Sequence, residues 1–316
     1  MRLGVHLPIA GGLAEAIARA QRLDCTTMQI FSRSPRGGRG PTRSREEIER
    51  FASARREAGI DPLAVHSPYI INLASPEATV WKRSVALYEE EYHRAAELGA
   101  AYLVTHVGSH RGAGEEAGIA RVAQALNRTL KHLAAPVTIL LENTAGSGQG
   151  IGYRFEHLAA IRNRVADRAR VGICLDTAHL FAAGYSIHTA EGLEQTLDDF
   201  DRTVGLAWLK LIHLNDSKVP FASRVDRHWH IGKGHIGLEA FRRLINHPAL
   251  RDVPLILETP KTTVRPGDRD RRAGEADDHR NLAAVRALVG WSPPGKPGAR
   301  VEGSKGRAPR RQLAVT

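Results

Sequence analysis

Six short apolar runs in this chain each end in a histidine or an acid. His66 follows PLAV, His106 follows YLVT, Glu142 follows TILL, Asp176 follows GICL, His213 follows LKLI and Glu258 follows LIL; a seventh, His6, follows GV near the start. In DTAH, Asp176 and His179 stand three apart, so one turn of helix or a tight bend can aim both the same way. In VDRHWH, Asp226, His228 and His230 alternate before the glycine-rich IGKGHIG. Singly, none of these persuades. A lone histidine there is usually a structural, hydrogen-bonded residue, and a lone acid is often a helix N-cap or a partner for arginine. Jointly they ask for a cation, because carboxylates converging on one place repel by roughly 4 kcal/mol per close pair at an effective dielectric of 20. Unprotonated imidazoles supply nitrogens suited to zinc, manganese or iron. The set His66, His106, Glu142, Asp176, His179, His213, Asp226, His228 and Glu258 offers nine donors. Two four-coordinate ions with open positions need fewer, so three ions sharing a carboxylate is a reasonable count.

Residues this far apart meet only if the fold gathers strand ends. Eight runs have strand character: 2–7, 26–31, 62–67, 102–108, 137–144, 171–179, 209–216 and 254–260. Stretches with helical spacing follow them, such as GLAEAIARAQRL, REEIERFASARREAG, WKRSVALYEEEYHRAAELG and RNLAAVRALVG. Strand then helix, repeated eight times, predicts an α/β (β/α)8 TIM barrel with the candidate donors at the C-terminal rim of its strands. The connections after strands three, six and seven read as longer than helix closure requires, which suits loops that build a site.

The chain has 316 residues, enough for one such barrel with an extension. Residues 1–291 are expected to form a single catalytic domain. Residues 292–316, rich in Pro, Gly and Arg, are expected to be a disordered basic tail. The net charge of +11 is uneven: residues 261–316 hold 13 Lys and Arg against 6 Asp and Glu, leaving 32 against 28 before them. Cys25 and Cys174 each sit in an apolar run, which excludes a disulfide framework or a cysteine-based zinc site. No run approaches the ~20 apolar residues of a membrane span, and MRLGVHLPIAGG lacks a signal-peptide pattern, so a cytoplasmic protein without membrane partners is expected.

The segments HSPYIINLAS, THVGSH, LLENTAG, GICLDTAH, HLNDSK, SRVDRHWHIGKGHIG and LILETP, in this order, closely resemble the endonuclease IV family of abasic-site endonucleases, within the xylose isomerase-like barrel superfamily. The likeness runs from Leu3 to about Gly290. It implies a trinuclear zinc site, with manganese possible at one or more positions. One ion would take His66, His106 and Glu142. A second would share Glu142 and add Asp176, His213 and Glu258, and a third would take His179, Asp226 and His228. His230 has no place in that set and is expected to be a supporting residue, as is His235. The implied activity is hydrolysis on the 5′ side of abasic sites in duplex DNA, leaving a 3′-hydroxyl and a 5′-deoxyribose phosphate. Trimming of blocked 3′ ends by phosphodiesterase or phosphatase activity would accompany it. Glu142 and Glu258 would be catalytic, Glu142 as the bridge and Glu258 as a group that positions or deprotonates water. The protein would be a monomer, associated with the nucleoid in use.

DNA contacts are expected from the same rim. SRSPRGGRG, after strand two, carries Arg33, Arg36 and Arg39 among glycines that allow close approach to phosphate. Taken alone it reads equally as a solvated basic loop. The resemblance raises Arg36, because the family has a DNA-probing loop here, and Tyr69, which matches a family surface position. Asn72, Lys233, Ser109 and His110 are weaker candidates. Two rivals stay open: a sugar isomerase or epimerase of the same superfamily, which needs only a subset of these donors, and a DNA-binding protein with structural metals.

Overall fold

The computed structural model describes residues 1–35, 38, 40–133, 135–262 and 273–290. The proposed tail, 292–316, lies outside them. Eight parallel strands close into a barrel: β1 (Leu3–Leu7), β2 (Met28–Phe31), β3 (Leu63–His66), β4 (Tyr102–His106), β5 (Thr138–Glu142), β6 (Val171–Asp176), β7 (Leu209–His213) and, after a two-stranded excursion, β10 (Leu255–Leu257). β10 hydrogen-bonds both β7 and β1, which shuts the cylinder. The excursion is the antiparallel pair β8 (Asp216–Ser217) and β9 (His228–Trp229). Around the barrel lie α1 (Leu13–Arg22), α2 (Arg45–Glu57), α3 (Ala78–Glu97), α4 (Glu115–His132), α5 (Phe155–Asn163), α6 (Thr177–Ala183), α7 (Ala190–Thr203), α8 (Leu238–Asn246) and α9 (Ala273–Arg286). The barrel read from the sequence is therefore the barrel observed. None of the described helices is long and apolar enough to cross a membrane.

The alternation of side chains along a strand explains how the barrel presents its donors. Ala64, Val104, Leu140, Cys174, Leu211 and Ile256 form one buried cluster, and each stands two residues before a candidate donor: His66, His106, Glu142, Asp176, His213 and Glu258. Six strands thus point an apolar residue into the barrel and, one step nearer the rim, a polar one. This layer is the floor of the site. Cys174 belongs to it, and burial pushes its thiol up to about 12, so it packs as a small hydrophobe.

Register then sets which donors are neighbours. His106 lies opposite Glu142 across β4 and β5. Between β6 and β7 the pairing slips at Ile173/Cys174, passing over Lys210, and so brings Asp176 opposite His213. Without that slip Asp176 would face Ile212, and a one-residue shift reverses which side chain points inward.

In the connection after strand six, the helical alternative for DTAH is the one adopted. α6 starts at Thr177, directly after β6, because the Asp176 side chain caps it by accepting from the His179 amide at 2.8 Å. Gly184, in the left-handed region at φ 107°, ends the helix two turns later. The connections after strands three and seven are long, as expected, spanning 67–77 and 214–237.

Candidate metal centre

The strand ends and two later segments bring eight of the nine expected donors together in three overlapping groups, within each of which the donor atoms lie within 4.8 Å of one another. The first group is His66, His106 and Glu142, with both Nε2 atoms on Glu142 Oε2 at 3.1 and 3.3 Å. Glu142, Asp176, His213 and Glu258 form the second. Here His213 Nδ1 lies 2.9 Å from Glu142 Oε1 and 3.2 Å from Glu258 Oε2. The third joins Asp176, His179 and His228. Asp226 approaches it from the rim, 3.2 Å from His179 Nε2 and 3.5 Å from His228 Nε2, although its side chain is 49% exposed. Glu142 thus belongs to both of the first two groups, and Asp176 to the second and third.

The histidine rings are oriented before any ligand arrives. Nδ1 of His66 faces the Ser67 carbonyl at 2.7 Å, Nδ1 of His179 the Asn143 carbonyl at 2.9 Å, and Nδ1 of His228 the Glu258 carbonyl at 3.2 Å. Each carbonyl fixes the hydrogen on Nδ1 and leaves Nε2 turned into the cluster. Asp176 is held in the same way, with Oδ2 accepting from Asn215 Nδ2 at 2.6 Å.

Charge in this pocket is finely opposed. Burial pushes the Glu142 carboxyl up, but His106 and His213 outweigh it and hold it well below the usual carboxylate range. Burial also opposes ionisation of Glu258, and His213 and His6 overcome it. Asp226 is carried down to about 2 because His179 and His228 outweigh its desolvation. His179 is raised to about 10 in spite of burial, by Asp176, Asp226 and Glu142. Buried nitrogen and carboxylate donors, pre-aimed and sharing oxygens between groups, fit divalent zinc or manganese.

The rim treats the expected DNA contacts unequally. Tyr69 is 62% exposed, its ring propped on Phe31, His66 and His106 with centroids 5.5 to 5.9 Å away. Sequence reasoning missed its neighbour Ile70, which is 44% exposed; the signal was an apolar YII directly after a strand, with no helical or strand period to bury it. Lys233 is exposed on a loop pinned by Asp216, which accepts from the Gly234 and Ile236 amides at 3.0 Å each. A side chain at Gly234 would run into that carboxylate.

One expectation is corrected. The Arg33 side chain is only 2% exposed: its guanidinium donates to the buried Glu91 and, at 2.7 Å, to Glu90, both on α3. It braces the loop after β2 rather than offering a charge to DNA. Asn72 is likewise committed, accepting from the Ser109 amide and donating to the Ser109 carbonyl, both at 3.0 Å. It ties the loops after β3 and β4 together. Gly108, at φ 97°, lies so close to Asn72 Oδ1 that a Cβ would collide with it. Of the weaker candidates, Ser109 Oγ donates to the Gln149 carbonyl at 3.0 Å and His110 Nδ1 accepts from the Gly114 amide at 3.0 Å. Arg36 and Arg39 lie outside the described residues. His230 meets Asn281 of α9 at 3.1 Å, away from the three groups.

Two clefts flank the centre. One, of about 640 Å³, runs from Tyr69 and Ile70 past His106 to His179 and Asp226; the other, of about 440 Å³, lies between Phe31, Tyr69 and Glu258.

Comparison with known proteins gives one consistent neighbourhood. The xylose isomerase-like TIM barrel family matches residues 17–284. A probable endonuclease 4 of Chloroflexus aurantiacus is 46% identical over 291 residues, covering 91% of this chain and 98% of that protein. One from Halothermothrix orenii is 46% identical over 268 residues, 85% of this chain and 96% of its own. The crystal structure of endonuclease IV from Thermus thermophilus superposes with a TM-score of 0.78 at 39% identity, covering 92% and 99% of the two chains. A D-psicose 3-epimerase reaches 0.65 at 17% identity, a likeness of fold alone.

Proposed function

Because this chain belongs to the endonuclease IV family of xylose isomerase-like TIM barrels, we propose that it is a DNA-repair endonuclease, a metal-dependent hydrolase acting at abasic sites in duplex DNA. It cuts the phosphodiester on the 5′ side, leaving a 3′-hydroxyl and a 5′-deoxyribose phosphate, and it trims blocked 3′ ends. The observation that carries this reading is the chain of three donor groups joined through Glu142 and Asp176. A sugar isomerase or epimerase would leave His66, His106, His179, Asp226 and His228 without a use.

Three zinc ions, with manganese able to replace one or more, would be held by His66, His106 and Glu142, by Glu142, Asp176, His213 and Glu258, and by His179, His228 and Asp226 with Asp176 alongside. Bound there, such ions supply positive charge to a phosphate and to a departing oxygen, and lower the pKa of water. The protein's own groups do the rest. Glu142, buried between two groups, keeps a fixed negative charge where the first and second meet. Glu258, kept ionised against burial by His213 and His6, turns Oε2 toward the donor group, where it would position a water at the mouth of the barrel. Asp226, at the rim and ionised, orients whatever enters over His179 and His228.

Recognition needs surface as well as chemistry. Tyr69 and Ile70 form an exposed apolar pair beside the cleft, suited to fill the gap left by a missing base, and extrusion of an abasic nucleotide costs less than that of a stacked one. Lys233 and Arg36 supply phosphate contacts. The protein acts as a monomer. A strand-cleavage assay on a defined abasic duplex, beside an intact duplex and free sugars, tests the reading. Turnover confined to the abasic duplex and abolished by chelator is expected; isomerisation of a free sugar, or cleavage indifferent to chelator, overturns it.

A further inference from the structure

Gln29 is a buried amide on β2, inside the barrel and in register with His6 of β1. It touches two members of the middle donor group at once. Its Nε2 lies 2.6 Å from Glu258 Oε1, and its Oε1 lies 2.9 Å from His213 Nε2. The chemistry of the three groups leaves one arrangement. An ionised carboxylate only accepts, so the amide nitrogen must face Glu258; the amide oxygen must then face His213, whose Nε2 must carry the hydrogen. Nδ1 of His213 is therefore the nitrogen turned toward Glu142 and Glu258, whether it holds a proton or an ion.

This inverts the other rings of the cluster. His66, His179 and His228 are fixed by backbone carbonyls and present Nε2. His213 is fixed by a side chain and presents Nδ1. The same amide also orients Glu258. Glu258 Oε1 accepts from Gln29 Nε2, His6 Nδ1 lies 2.9 Å from both of those atoms, and Oε2 is left to face the donor group.

We infer that Gln29 is a positioning residue: one amide sets the tautomer of His213 and the orientation of Glu258, and so governs how tightly the middle of the three ion sites is filled. The inference rests on the reading that this cluster holds metal. Supporting hydrogen bonds of this kind are worth about 10–100-fold in metal affinity.

Two substitutions separate the two roles. Gln29→Leu removes both hydrogen bonds. Gln29→Glu keeps an acceptor for His213 Nε2 but sets a second carboxylate against Glu258. Zinc-loaded wild type and variants are challenged with a chelator while retained metal is counted, long-range ¹H–¹⁵N spectra report the histidine ring nitrogens, and circular dichroism reports folding. Wild type is expected to retain three ions and to show His213 as an Nε2–H ring. Gln29→Leu should lose one ion about 10–100-fold more readily and lose that ring signature, with His66 and His179 unchanged. Gln29→Glu should lose the same ion while keeping the Nε2–H signature. Retention of all three ions with unaltered His213 signals in Gln29→Leu overturns the inference; should that variant fail to fold, unaltered ion retention in Gln29→Glu overturns it. Wild-type protein that binds fewer than two ions overturns instead the reading on which the inference rests.

Discussion

The ion-binding groups fall into two regions built by different means. His66, His106, Glu142, Asp176 and His213 are the last residues of five barrel strands, and Glu258 follows a sixth. Their positions follow from register and from the floor of Ala64, Val104, Leu140, Cys174, Leu211 and Ile256 beneath them. His179, Asp226 and His228 instead come from a short helix and from the excursion that contains β8 and β9. The first region is a property of the barrel. The second depends on a few contacts, and the half-exposed Asp226 shows how little encloses it. Of the three proposed ion sites, the one at the rim should therefore be the easiest to empty.

The largest effect should come from the strand-end region. Glu142→Gln removes the charge shared by two groups, so at least one ion should be lost and kcat on an abasic duplex should fall by about 10²–10³-fold or more, the scale of losing one strong transition-state stabiliser. Metal counting together with single-turnover kinetics checks this. A variant that keeps full metal and rate would mean that Glu142 does not bridge.

Next come two histidines two residues apart. His228→Ala should lose one ion and most activity while the strand-end ions stay. His230→Ala should keep the full metal count, because its ring meets Asn281 of α9 rather than the cluster. Equal metal loss in both variants would erase the distinction between the donors and their surroundings. A dilute chelator added to wild type should then remove the ions in order, the first leaving a protein that still holds two and whose ring-nitrogen signals change at His179 and His228 before His66 and His213. Simultaneous release of all three would make the two regions one.

What could be read from the chain follows the same division. The strand-end donors were legible because strands alternate, so an apolar run ending in His, Asp or Glu carries both its strand and its direction. The barrel was legible for the same reason. Arg33 was misjudged because its partners, Glu90 and Glu91, are nearly sixty residues away on α3, and no local pattern reveals an ion pair made by the fold. The tie made by Asn72 was equally hidden, since its partner Ser109 belongs to the next loop. After strand six, where DTAH read as a turn of helix or a tight bend, the helix α6 forms because Asp176, read as a donor, also caps it. Gln29 gave no signal at all: an amide is not a metal ligand, and its role exists only once β2 stands beside β1 and across from β7.

The smallest expected effect concerns the backbone of the excursion. Between β8 and β9, Ala222 and Arg224 both adopt left-handed conformations, at φ 56° and 54°. For residues with a Cβ this costs roughly 1–2 kcal/mol each. The loop accepts the strain because it is tied to α6: the Ala222 amide donates to the Phe181 carbonyl at 3.1 Å and the Arg224 amide to the Ala182 carbonyl at 2.9 Å. Those ties position Asp226 two residues later, over the same helix that carries His179. Ala222→Gly relieves the strain, but it also frees the unfolded chain by about 0.5–1 kcal/mol, so the melting temperature should hardly move. The looser loop should still release the rim ion a few-fold faster, with the other two unaffected, as chelator-exchange kinetics would show. An unchanged exchange rate would mean that the backbone ties to α6, rather than the conformation of Ala222, hold Asp226 in place.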